Sequence, residues 1–419
     1  MDSFTTLALI VLFISFMTFV AFFGRIPILR NTPIAWLHNF IWNTVPASIL
    51  ALDGIVTGGR LTSNLKRFGN YMLYDRHPTV VIFFLGLLAG GEYMFLPGAW
   101  PLLSPLHRTL TTIAVICPYL FLYLSCSADP GYITRENHAF QMAQYPFDFA
   151  MFHPGAHCRT CQLLKPARSK HCSVCKHCVA KADHHCIFIN SCVGAGNLHW
   201  FILLLFSTAV LTAYGSWMGL GIIRDVIRAR WADFFIWPPA AKGYSWSQYL
   251  LMWSYGLQAD VGVGAVSLLM LLTSPLIWGL WAYNMYMIWA GTTTNESLKW
   301  SDWREDIADG FAYRRRMSPS RQKDLRFEPA WTKWPIEAET IMIHYENGPP
   351  PAESSNFPGV GEWTQVQRLR EVDNLYDLGF WDNLRDIFWP RYRFAKGAAA
   401  VPVVERGRRR QGRDSGRED

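Results

Sequence analysis

Charge is scarce in these 419 residues: 17% are Asp, Glu, Lys or Arg, where soluble domains carry roughly a quarter. Cysteine is sparse as well. Nine Cys in this length, seven of them between Cys158 and Cys192, exclude a secreted scaffold laced by disulfides. The N-terminus lacks the marks of a cleaved signal: Asp2 stands where a basic stretch belongs, and no small-x-small site follows a long apolar run. That run is therefore expected to stay as an anchor. What the chain does have is apolar surface, 51% of its residues, with 19 Trp and 27 Phe, so disorder throughout is excluded.

A helix crosses the hydrocarbon layer with about 20 mostly apolar residues. Five stretches qualify, near 5–23, 79–96, 109–128, 200–223 and 263–290, and predict an α-helical polytopic membrane protein. Glu92 lies near the far end of the second, and Pro118 inside the third, where neighbouring helices can re-satisfy the freed carbonyl. Of the 39 Lys and Arg, 34 fall in three segments: after the first span, between the third and fourth, and after the fifth. Basic residues mark the cytoplasmic side, so these segments are expected in the cytosol and the N-terminus in the lumen. The aromatic loop 224–262 and the stretch 33–52 read as interfacial or re-entrant. The resulting division is a membrane region 1–128, a cytosolic cysteine-rich domain 152–199, a second membrane region 200–290, a cytosolic region 291–395 and a disordered basic tail 396–419.

Cytosolic thiols stay reduced, so repeated Cys-x-x-Cys argues for metal over disulfides. Structural zinc is closed by four Cys or His ligands. The candidates are Cys158, Cys161, His171, Cys172, Cys175, Cys178, one of His184 and His185, Cys186 and Cys192. Two complete Cys₃His sites need eight of these nine. The one left over is best assigned to Cys186, in the run Asp183-His184-His185-Cys186. A free thiol beside a His that an Asp orients has the parts of an activated nucleophile. Adjacent side chains in extended chain point to opposite sides, which favours His184 for chemistry and His185 for metal, but the sequence leaves that division open.

Cys158-x-x-Cys161, Lys165-Pro166-x-Arg168, His171-Cys172-x-x-Cys175-x-x-Cys178, Asp183-His184-His185-Cys186, Asn190-x-Cys192-x-Gly194 and Asn197 together resemble the DHHC-type protein S-acyltransferases, the palmitoyltransferases. Phe188 departs from the Trp usual there. Beyond the last span, Thr293-Thr294-Asn295-Glu296 resembles the family's Thr-Thr-x-Glu motif, and 374–384 its C-terminal motif with Asn and aromatic residues. The extra N-terminal span and Thr-Thr-Asn-Glu-x-x-Lys-Trp resemble the fungal spore-wall-formation subgroup.

The resemblance implies two interleaved structural zinc sites: Cys158, Cys161, His171 and Cys178 in one, Cys172, Cys175, His185 and Cys192 in the other. It implies that Cys186 carries the acyl group, activated by His184 and Asp183, with palmitoyl-CoA as co-substrate. Basic residues near the site, Lys165 and Arg168 foremost, are expected to pair with CoA phosphates. The acceptors expected are juxtamembrane cysteines of membrane proteins in the bilayer, SNARE-like by the subgroup resemblance, at the endoplasmic reticulum. The basic runs 314–316 and 406–413 have no recognition fold around them and read as membrane-surface or solvated segments, with no nucleic acid as partner. A zinc module that only recruits partners would have no use for the ninth thiol. A transporter would want ionisable groups in mid-membrane, and Glu92 is the lone candidate.

Overall fold

A computed structural model describes residues 31–237, 243–351 and 358–389, with isolated positions elsewhere. The expected span 5–23 falls almost wholly outside the described residues, and the tail 396–419 does so entirely. The chain divides into two compact units, Met1–Asp75 and Arg76–Asp419.

In the first unit, α1 (Pro33–Asn39) runs through a π-helical turn (Phe40–Thr44) into α2 (Val45–Val56). Gly58 and Gly59, both at positive φ, then reverse the chain into α3 (Arg60–Tyr74). Asp53 fastens this corner. Its carboxylate accepts from the backbone N–H of Leu61 and Thr62 and from the hydroxyls of Thr57 and Thr62, satisfying the open end of α3. The stretch 33–52, expected at the interface, is thus helical.

The second unit holds the membrane helices. Four helices among the described residues are long and apolar enough to cross a membrane. They are built on α4 (Thr79–Ala99), which continues to Leu102, on α5 (Pro105–Ser127), and further along on Leu198–Arg230 and Val261–Trp289. They coincide with the expected spans from 79 onward, although the third runs on to Arg230 because no helix-breaker follows its apolar stretch. Between the second and third of these lie the short α6 (His138–Met142) and the cysteine-rich region. That region is three two-stranded antiparallel ribbons: β1 (His157–Cys158) with β2 (Leu163–Leu164), β3 (Lys170–Cys172) with β4 (His177–Val179), and β5 (His184–Cys186) with β6 (Ser191–Val193).

The chain then enters α7 (Leu198–Arg230). The loop 224–262, expected to be interfacial, holds a helix of its own, α8 (Trp246–Ala259), opened by a capping box between Ser245 and Gln248. Asp260 caps the next helix, α9 (Val261–Trp289), accepting from the Val263 N–H at 3.0 Å. Helices α7 and α9 touch closely at Gly219, where a Cβ would fall 1.9 Å from Ser267 Oγ.

After α9 come α10 (Thr294–Ala308) and a three-stranded antiparallel sheet in the order β8-β7-β9, from β7 (Ala312–Arg316), β8 (Thr340–His344) and β9 (Val360–Gln365). The basic run 314–316 is therefore a strand. Arg315 is buried with its guanidinium 4.3 Å from the Trp363 ring centroid, and Arg314 hydrogen-bonds the Glu371 carbonyl. The sheet shares a core with Tyr145, Phe147, Phe149, Phe152, Trp334 and Tyr376. Last is α11 (Phe380–Phe388), whose Ile387 joins the apolar cluster at the ends of the membrane helices.

Candidate active site and metal-binding clusters

Strand alternation sorts the ligands. In the β3–β4 ribbon His171 stands opposite Cys178, while Cys172, the next residue, points the other way. In the β5–β6 ribbon His185 stands opposite Cys192, and its neighbours His184 and Cys186 share the other face. Two groups of four result: Cys158, Cys161, His171 and Cys178, and Cys172, Cys175, His185 and Cys192, each with its ligand atoms within 4.8 Å of one another. Neither group takes in Cys186 or His184.

The spacing within each group tests the fit to zinc. A tetrahedron with Zn–S near 2.3 Å and Zn–N near 2.0 Å has S···N edges of about 3.6 Å and S···S edges of about 3.8 Å. In the first group Nδ1 of His171 lies 3.5, 3.4 and 3.9 Å from the sulfurs of Cys158, Cys161 and Cys178. In the second, Nδ1 of His185 lies 3.7, 3.4 and 3.7 Å from those of Cys172, Cys175 and Cys192. These are the edges of two small tetrahedra rather than ordinary hydrogen bonds. Both groups can hold a metal ion, and all four positions of each are filled by protein.

On the opposite face of β5 the arrangement differs. Nδ1 of His184 lies 2.6 Å from Oδ2 of Asp183, which leaves Nε2 as the ring atom on offer to a thiol. Oδ1 of Asp183 accepts from the backbone N–H of Thr294 at 2.8 Å, across 111 residues of chain. Burial opposes ionisation of Asp183, but the hydrogen bonds from His184 and Thr294 prevail and hold its carboxyl below the usual range. Burial likewise disfavours a charged His184, yet Asp183 and the Cys186 sulfur outweigh it and push the imidazolium up to about 9. The ring packs edge-on against Phe201 of α7.

Cys186 is buried among Leu122 of α5, Leu198 and Ile202 of α7 and Ile288 of α9, so the thiol sits where the ends of the membrane helices converge. The turn after it is pinned by Arg76, whose Nε and Nη2 donate to the Asn190 carbonyl at 3.1 and 2.7 Å. Phe188, at the position of the family's usual Trp, meets Phe84 of α4 edge to face.

Of the two basic residues read as CoA partners, Lys165 is half-buried, and Arg168 is 2% exposed and fully engaged. Its Nε and Nη2 each lie 2.7 Å from a Glu296 oxygen, Nη2 also donates to the Gly291 carbonyl, and the rings of Tyr145 and Tyr376 flank it. Arg168 braces the cysteine-rich region against α10, with Nε and Nη2 both committed there. The C-terminal motif braces it from the other side. Asn374 Nδ2 donates to the Ala290 carbonyl and Asn383 Nδ2 to that of Ile288, satisfying carbonyls freed at the end of α9. Asp386, buried on α11, lies 2.7 Å from Lys181 Nζ and 3.0 Å from Lys333 Nζ and accepts from the Tyr145 hydroxyl. Lys181, one of the basic residues near the site expected to pair with CoA phosphates, is instead buried against Asp386. Sequence reasoning missed Asp386, and the signal that could have flagged it, a carboxylate among apolar residues of a short amphipathic helix, is weak.

The family model for DHHC palmitoyltransferases matches residues 151–301, the stretch that holds both metal-binding groups, the Asp183–His184–Cys186 face and Glu296. The chain is 54% identical over 426 aligned residues to Palmitoyltransferase SWF1 of Neurospora crassa, covering 100% of this chain and 99% of that one. The chain belongs to the DHHC palmitoyltransferase family. It is 41% identical to Palmitoyltransferase swf1 of Emericella nidulans, over 91% of this chain and 96% of the other. A mouse relative, Palmitoyltransferase ZDHHC4, is 27% identical over 76% and 80% of the two chains. As a DHHC palmitoyltransferase with several membrane-crossing helices, the protein is a multi-pass membrane acyltransferase that acts on membrane proteins within a bilayer.

Proposed function

We propose that the protein moves a long-chain acyl group from acyl-CoA to Cys186 and from there to a juxtamembrane cysteine of a membrane protein. The observation that carries this reading is the division of β5. One face completes a Cys₃His group, and the other presents a thiol and a histidine, the latter held by Asp183, at the mouth of the membrane helices. His184 takes the Cys186 proton, Sγ bonds to the acyl carbon, and the carbon–sulfur bond to CoA breaks. CoA leaves as a thiol with the proton from His184. A substrate thiol then gives its proton to His184 and attacks the acyl carbon, and Cys186 departs and recovers that proton. Splitting the transfer this way replaces one hard step by two easier ones. Asp183, ionised and hydrogen-bonded to Nδ1, stabilises the imidazolium that each step forms.

The acyl chain has a place to lie. An apolar cavity of about 190 Å³ opens between α4, α5, α7 and α9, lined by Leu88, Ala114, Leu211 and Leu269 among others. Phe84 borders both this cavity and the cluster around Cys186, which supports the cavity as the place for a chain carried on Sγ. Each methylene placed there contributes about 0.8 kcal/mol. The two Cys₃His groups would hold zinc, which would supply cross-links that fix the ribbons, with no open position for chemistry. Lys165 remains the candidate for CoA phosphates.

The distribution of Lys and Arg supports a cytosolic cysteine-rich region and C-terminus and a lumenal N-terminus. Residence in the endoplasmic reticulum and SNARE-like acceptors rest on the subgroup resemblance. The test of the reaction is self-acylation of the purified protein by an alkyne-tagged palmitoyl-CoA. Hydroxylamine-labile label is expected on the parent and none on Cys186→Ser. Equal labelling of the two proteins would sink the proposal.

A further inference from the structure

We propose that α3 lies in the membrane surface as an amphipathic helix that binds anionic lipid headgroups of the leaflet facing the cysteine-rich region. In α3, Leu61, Leu65 and Phe68 are 60%, 66% and 59% exposed. At about 100° per residue they fall within one arc of roughly 60°, a continuous apolar stripe. Arg60, Lys66 and Arg67 are exposed and project from other parts of the circumference, with Ser63 and Asn70 opposite the stripe. The helix has no acidic residue, so its charge is three positive. Its partner across the Gly58–Gly59 turn adds to the apolar surface: Ile49, Leu50, Leu52, Ile55 and Val56 of α2 are all more than half exposed.

An apolar stripe of this size is stable only against a nonpolar medium, and the cations beside it select the occupant. A neutral protein groove would leave three cations without counter-charges, whereas an anionic leaflet supplies the apolar layer and the negative headgroups together. The Asp53 clasp holds the start of α3 to α2, so the stripe is preformed rather than ordered on contact. Five residues after Tyr74 the chain enters the span at Thr79, a tether that keeps the helix end at the leaflet it binds.

The experiment is amide hydrogen exchange across residues 60–74 of the full-length protein in nanodiscs. One set is of phosphatidylcholine alone, and the other holds about three parts in ten phosphatidylserine. Exchange is expected to slow at least about tenfold in the anionic discs, given a contribution of order one kcal/mol per cation. The double variant Lys66→Glu, Arg67→Glu is expected to return it to the neutral-lipid rate, with self-acylation in detergent retained as the check on folding. Equal exchange of the parent in both lipids would overturn the proposal. So would slowing that charge reversal leaves in place, since it would mean the helix docks on protein.

Discussion

The ribbons β3–β4 and β5–β6 follow the same plan, a His and a Cys facing each other on paired strands with neighbours turned to the opposite face, yet their other faces meet different surroundings. In the first, both faces contribute to groups that can hold a metal: His171 and Cys178 to one, Cys172 to the other. In the second, His185 and Cys192 complete a group while His184 and Cys186 face the membrane helices. The difference lies in what meets each face. His177, on β4, donates from Nδ1 to the Cys175 carbonyl at 2.8 Å and lies tilted against the Tyr132 ring. His184 has Asp183 at 2.6 Å, and Asp183 is itself held by the Thr294 N–H. Spacing fixes which way a side chain points. Long-range partners decide what it can do there.

The comparison breaks most completely at the metal face. Removing zinc with a chelator, or replacing Cys192 by Ala, is expected to abolish self-acylation although Cys186 is intact, because the metal supplies much of the folding free energy of such a small region. Circular dichroism and metal content report the collapse. Next is the brace behind the second ribbon. Glu296→Ala leaves the Arg168 guanidinium buried and unpaired, and a loss of about 3–5 kcal/mol is expected in thermal or denaturant unfolding. At the reactive face, His184→Asn is expected to slow acyl transfer about 10²–10⁴-fold while zinc stays bound, the usual worth of a positioned acid–base group.

A finer cut separates orientation from folding. Thr294 occupies the first position of α10, where proline is tolerated, so Thr294→Pro deletes the N–H that holds Asp183 and leaves the helix. Loss of one charge-assisted hydrogen bond predicts a drop of about tenfold in turnover, with the melting temperature little changed. The smallest effect is expected on β4, at a histidine outside both metal-binding groups. His177→Asn is predicted to stay within about 0.5 kcal/mol in stability and to keep full activity. A large loss of turnover there would mean the two ribbons are not divided as described.

Hydropathy made the membrane helices from 79 onward legible, because a bilayer imposes length and apolarity on each segment separately. The surplus of one ligand among nine was also countable, since tetrahedral closure is a rule about numbers. What the sequence hid depends on distance. Arg168 reads as a basic residue on a solvated loop; only the fold reveals Glu296, 128 residues on, and the rings of Tyr145 and Tyr376 around it. The strand containing Arg314–Arg316 is masked by its charge, since three consecutive arginines read as solvated although Ala312, Tyr313 and Arg315 are buried. Helix α8 was read as an interfacial aromatic stretch because its Trp and Tyr residues suit either setting, and its rings pack with Phe234.

The central claim is that Cys186 stands outside two closed metal sites. Native mass spectrometry of the intact protein tests it by counting zinc in the parent, Cys186→Ser and Cys192→Ser. Two ions are expected in the parent and in Cys186→Ser, and fewer in Cys192→Ser. Loss of an ion from Cys186→Ser, with Cys192→Ser unaffected, would contradict it and place Cys186 among the ligands.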